Sequence, residues 1–127
     1  MRATIVLCFA GLTLAAFAQE APMLPPQDGL GVMRGLNTAE SGLSSATGVY
    51  AALSAVLPKL GAIGSEAIPL DEQTATLRDY RLSLVRSQDA KHYNASLLPS
   101  HGCQTAWFTD ERGVIYKGLP LGCPETK

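Results

Sequence analysis

The sequence predicts an α+β fold, with an N-terminal amphipathic helix packed on a small antiparallel β-meander that a C-terminal disulfide closes. Three observations predict it. Apolar residues between Leu36 and Leu60 recur at helical spacing, residues from Tyr80 onward alternate with period two, and Cys103 and Cys123 bracket the last hairpin.

The chain opens on Arg2 and an apolar run from Ile5 to Phe17 that ends at the small-residue site Ala16-Phe17-Ala18. This is the pattern of a secretory signal peptide over residues 1–18, and Cys8 leaves with it. The run is too short to span a bilayer once cut, so no stable transmembrane anchor is expected. Leu7 stands where a lipoprotein signal would want a small residue. Cleavage after Ala18 leaves 109 of the 127 residues, enough for one domain with a real core. The expected location is secreted or periplasmic. Loss of Arg2 takes the formal charge from −1 to −2, with the charges scattered. A concentrated basic face is lacking, so nucleic acid is not an expected partner.

Residues 19–35 mix prolines and glycines without periodicity, and Pro25-Pro26 cannot sit inside a helix. The expectation is a flexible arm, followed by a single domain over 36–127. Its first element is a helix over about 37–60. Leu36, Leu43, Tyr50 and Leu57 form one row, and Ala39, Ala46, Leu53 and Leu60 form the next, so both fall on one face. Asn37 with Glu40 three residues later suits a capping box, and Pro58 and Gly61 end or kink the helix. Its other face is polar and uncharged. That face has too much Ser, Thr and Gly for a membrane span, and it carries no Lys or Arg to seek a membrane surface.

After the turn-rich stretch 61–69 the period changes. Tyr80, Leu82 and Leu84 alternate with Arg81, Ser83 and Val85, and Tyr93, Ala95 and Leu97 with Asn94, Ser96 and Leu98, which predicts two strands joined by a turn at Gln88–Lys91. Residues 72–79 are compatible with helix or strand. Ala106–Thr109 and Val114–Tyr116 then flank Asp110-Glu-Arg-Gly113 as a hairpin. Pairing Thr109 with Val114 would set Trp107 opposite Tyr116 and Phe108 opposite Ile115. The meander covers about 78–118. In an oxidising compartment Cys103 and Cys123 form a disulfide across the open end of the hairpin, worth roughly 3 kcal/mol for a loop of about 20 residues.

The candidate chemistry is sparse. His92, His101 and Cys103 would suit a metal only if the thiol were free, so no metal is expected. No G-x-S-x-G elbow is present. The carboxylate pairs Asp79 with Asp89 and Asp110 with Glu111 fall in turns, where nothing buries them and shifts a pKa. Gly29-Leu-Gly31-Val-Met-Arg-Gly35 has a phosphate-loop look but follows a proline-rich arm rather than a strand. Asn94-Ala-Ser96 is an N-glycosylation acceptor by pattern. No catalytic residue and no cofactor is assigned.

Tyr80-Arg-Leu-Ser-Leu84, Ala95-Ser-Leu-Leu-Pro99, Cys103, Phe108-Thr-Asp110, Gly113 and Cys123 follow one another in an order that resembles the C-terminal region of type IV pilins and minor or pseudopilin relatives. The resemblance covers residues 80–123 and implies a helix, an antiparallel sheet and a disulfide-closed end. The sequence departs from that family at its start, because it ends its apolar run at a signal-peptidase site and lacks the prepilin leader with its glutamate.

These readings converge on an exported, non-enzymatic binding or assembly module, pilin-like in layout. The partner is another exported protein or a second copy. The candidate contact surface comprises Leu43, Tyr50, Leu53 and Leu57 on the helix with Trp107 and Tyr116 on the hairpin. The alternative is a small secreted hydrolase, which would need a concave pocket with convergent polar groups.

Overall fold

The computed structural model describes residues 23–124; the signal peptide expected at 1–18, with Cys8, lies outside the described residues. Helix α1 spans Pro26–Thr47. Pro26 stands at the first helical position, where a missing N–H costs nothing, and Asp28 in the first turn complements the helix dipole. The helix stops at Gly48, which takes φ 80° and donates its N–H to the Ser44 carbonyl at 2.7 Å. Such a left-handed cap is cheap only for glycine.

Two expectations are corrected here. The flexible arm over 19–35 gives way to helix at Pro26, and Leu24 just before it is buried, with its N–H donated to Asp79 Oδ1 at 2.8 Å. The phosphate-loop-like glycines Gly29, Gly31 and Gly35 are therefore helical. The helix expected over 37–60 is also two pieces. After an irregular link at 48–52, the chain forms α2 (Leu53–Val56), a 3-10 turn (Leu57–Leu60) and α3 (Ala62–Ser65). The break holds because the link's amides are bonded elsewhere: Tyr50 N–H donates to the Ala90 carbonyl at 2.8 Å and Ala51 N–H to Glu40 Oε2 at 2.7 Å.

The rest of the chain is a six-stranded antiparallel meander in sequential order. Its strands are β1 (Ile68–Pro69), β2 (Thr74–Leu77), β3 (Tyr80–Arg86), β4 (Tyr93–Pro99), β5 (Ala106–Asp110) and β6 (Ile115–Gly118). The stretch 72–79, compatible with helix or strand in the sequence, contributes β2 and its tight turn. β3 and β4 form where the alternation predicts, and the Gln88–Lys91 turn closes with Ser87 N–H on the His92 carbonyl at 2.9 Å. The C-terminal hairpin exists but its register differs by one residue: Thr109 pairs with Ile115, Phe108 with Tyr116 and Trp107 with Lys117. The cause is Gly113. It takes φ 75° and donates to the Asp110 carbonyl at 2.9 Å, so a turn plus one left-handed residue puts five residues, 110–114, between the last paired positions where the expected pairing has four. The disulfide joins Cys103 to Cys123 with their Cα atoms 5.5 Å apart, tying the end of the chain beyond β6 to the β4–β5 connection.

One face of the sheet is covered. Val32, Met33 and Leu36 of α1, with Leu53, Val56 and Leu57, pack on Ala75, Leu77, Leu82, Leu84, Leu97 and Trp107. Gly29 allows the closest approach, because a Cβ there would lie 2.5 Å from Trp107 Nε1. No helix among the described residues is long and apolar enough to cross a membrane.

Candidate functional site

Period-two alternation gives the sheet a second face, and nothing in the described fold lies over it. Side chains there form a row across four strands, Ser83 to Ser96 to Phe108 to Tyr116, each paired with the next in the ladder. Val85, Asn94 and Asp110 form a second row, and Arg81 pairs with Leu98. Val85, Leu98, Phe108 and Tyr116 are 41%, 38%, 42% and 50% exposed. Around Phe108 and Tyr116 the surface dips into a shallow hollow of about 380 Å³ that Ser83, Val85, Asn94 and Ser96 help to line. Adjacent aromatic side chains ringed by hydroxyls and an amide give this face an apolar centre and a polar rim.

The polar residues between helix and sheet play a different part. Asn37, expected as a helix cap, sits mid-helix and bridges to the sheet: Tyr93 OH donates to its Oδ1 at 2.8 Å, and its Nδ2 donates to Thr109 Oγ1 at 2.9 Å. Thr109 Oγ1 also lies 2.9 Å from the Val114 carbonyl, which fixes the start of β6. Glu40, expected to reach back to Asn37, is fully buried and instead accepts the Ala51 N–H that holds the link after α1. Its Oε1 has no partner among the described residues. Burial raises the Glu40 pKa above its usual value, against the Ala51 bond and the nearby Arg86 charge, which lower it. Burial, with the Glu40 charge behind it, also raises the Tyr93 phenol. A desolvated carboxyl of this kind could act as an acid or base, but Glu40 is sealed from any substrate. Its role is to fasten the link to the helix.

The expected contact surface is corrected by burial. Leu53, Leu57 and Trp107 belong to the core, Leu43 and Tyr50 are half-buried against it, and Tyr50 stacks edge-on to Tyr93 at 4.7 Å. Of the six expected residues, Tyr116 alone lies on the open face. Phe108 lies directly across from it, and Val85 and Leu98 are exposed on the same face. The signal for them was the alternation itself, since Val85 and Leu98 fall on the Arg81, Ser83, Asn94 and Ser96 side of their strands.

The candidate catalytic groups are wired away from one another. His92 Nδ1 lies 2.8 Å from Glu111 Oε1, while the Ser87 hydroxyl donates to Asp89 Oδ1 at 2.6 Å, so serine and imidazole are not linked in the order a triad needs. The His92 contact lowers the Glu111 pKa, and the Arg112 hydrogen bond lowers that of Asp110. Asp79 and Asp89 stand at opposite ends of β3, roughly 20 Å apart at strand rise, and cannot act as a pair. His101 is exposed beside the disulfide. No group of three or more His, Cys, Asp or Glu among the described residues could hold a metal ion. Asn94 is exposed on the open face.

Fold and surface together describe a two-layer α+β domain with one sheet face uncovered by the described residues. The chain matches no protein-family model, no curated protein and no solved structure.

Proposed function

We propose that this chain is an exported, non-enzymatic binding or assembly module, secreted or periplasmic, that docks on another exported protein or a second copy of itself through the open sheet face. The observation that carries this reading is the cross-strand aromatic pair Phe108 and Tyr116, exposed with Val85 and Leu98 on a face that no element of the described fold covers. A helix, an antiparallel meander and the Cys103–Cys123 disulfide are compatible with the pilin-like layout of this reading. The disulfide agrees with an oxidising destination.

The test is capture from the native exported fraction. Mature protein should retain a specific exported partner or associate with itself, the double variant Phe108→Ser, Tyr116→Ser should lose that binding, and His92→Ala, His101→Ala should keep it. Capture unaffected by the outer-face variant would refute the docking face. A hydrolytic activity abolished by the histidine variant, with circular dichroism unchanged, would favour the secreted hydrolase.

A further inference from the structure

The irregular link at 48–52 is moored unequally on its two sides. Toward the β3–β4 turn it has three hydrogen bonds: Tyr50 N–H to the Ala90 carbonyl at 2.8 Å, Arg86 Nη1 to the Tyr50 carbonyl at 3.0 Å and Lys91 Nζ to the Gly48 carbonyl at 2.7 Å. Toward α1, residues 50–52 have one among the described residues, from Ala51 N–H to Glu40 Oε2 at 2.7 Å. The acceptor of that single bond is a fully buried carboxyl whose Oε1 meets no donor among the described residues. Such a group is tolerated neutral and costly charged. Burial raises the Glu40 pKa, outweighing the Ala51 bond and the Arg86 charge. The elements around Glu40 bring few other charges. Arg86 comes from β3, and one of its guanidinium nitrogens is already given to Tyr50. Tyr93 comes from β4 and Tyr50 from the link, while Asp110 and Glu111 of the hairpin act on Tyr93. His92 is bonded to Glu111, and Lys59 of the 3-10 turn and Arg34 of α1 are exposed.

We infer that the link at 48–52 is a pH-operated latch, shut on α1 while Glu40 holds its proton and lifted from it when Glu40 ionises, with the sheet left in place. Lifting gives water access to the carboxylate and breaks only the Ala51 bond. The three bonds toward the β3–β4 turn stay made, so the motion separates link from helix. The shut state holds the proton more tightly than the lifted one. Opening therefore grows easier as pH rises from the usual carboxylate value to the raised one, and is constant beyond it. The latch is distinct from the open sheet face and does not depend on it.

The experiment is native-state amide hydrogen exchange of the mature protein, read by two-dimensional NMR as protection relative to the unstructured amide. Protection at Ala51 should fall by up to about tenfold per pH unit between those two values and then level off. It should also be insensitive to low urea, because a local opening exposes little surface, whereas the Leu84 amide, bonded to the Gln73 carbonyl at 2.8 Å within the sheet, should follow the urea dependence of global unfolding. In Glu40→Gln, which keeps an acceptor for Ala51 but does not titrate, Ala51 protection should not change with pH. If that variant fails to fold, the Glu40 carboxyl carbon signal of the wild type takes its place, and its titration midpoint should coincide with the pH at which Ala51 protection levels off. Ala51 protection that is flat with pH in the wild type, that falls equally in Glu40→Gln, that levels off away from the carboxyl midpoint or that shares the urea dependence of Leu84 would overturn the inference.

Discussion

The two faces of the sheet are built from alternate residues of the same strands, yet they differ in what they need. On the inner face Leu82, Leu84 and Leu97 meet α1 and the residues after it, and Asn37 and Thr109 tie helix to hairpin. On the outer face Arg81, Ser83, Val85, Asn94, Ser96, Leu98, Phe108 and Tyr116 meet nothing in the described fold. Stability is thus concentrated on one side, and the other is the side proposed for contact. A change of one residue along a strand moves a substitution from the first to the second.

The sharpest way to break this comparison is to truncate matched positions. Leu82→Ala removes a fully buried side chain and should cost about 2 to 5 kcal/mol in urea unfolding, whereas Phe108→Ser should cost no more than about 1 kcal/mol, the worth of a cross-strand aromatic pair. Equal costs would mean that the outer face is also structural. Next in size is the contact between α1 and β5: Gly29→Ala drives a methyl into the Trp107 indole and should destabilise by about 1 to 3 kcal/mol. Gly42→Ala, where a Cβ meets nothing within 4 Å, should instead stabilise by about 0.5 to 1 kcal/mol. Thermal melts of the pair give opposite signs if the helix docks as described.

The smallest effect is one of pH. The folded Glu40 pKa is raised, so its contribution to stability is fully present below the usual carboxylate range and is lost as pH rises through the folded value. Glu66, Asp71, Asp89, Asp110 and Glu111 are lowered and act in the opposite sense, losing their contribution as pH falls through their folded values. Urea midpoints measured across pH for wild type and Glu40→Gln isolate the buried group. The wild type should lose stability relative to the variant as pH rises, and parallel curves would show that Glu40 is not desolvated.

The strands from Tyr80 to Pro99 were legible because period-two alternation is a local property with a turn between two clean runs. The hairpin after Ala106 was legible in kind but not in register, since one left-handed residue at Gly113 moves every cross-strand partner without altering the composition. Helix α1 was misplaced for two physical reasons. Pro26 opens the helix as a first-turn proline rather than breaking it, and the row Leu43, Tyr50, Leu57 keeps its phase across Gly48 because helix and link bury side chains in the same core. Glu40 carried a usable signal, a charge four residues after the buried Leu36 on the apolar stripe. What it bonds to, an amide beyond the helix end, is a tertiary fact. For the same reason core and exposed patch are not separable in the sequence: apolar residues mark both, and only the packing of α1 over Leu53, Leu57 and Trp107 tells them apart.

Site-specific photocrosslinking tests the division between the faces most directly. A photoreactive phenylalanine at position 116, on the open face, is compared with one at position 70, equally exposed at the far edge of the sheet, in the native exported fraction. The account predicts a discrete crosslinked species, to another exported chain or to a second copy, from position 116 and none from position 70. Adducts from position 70 alone, or none from position 116 while the folded protein is present, would contradict it.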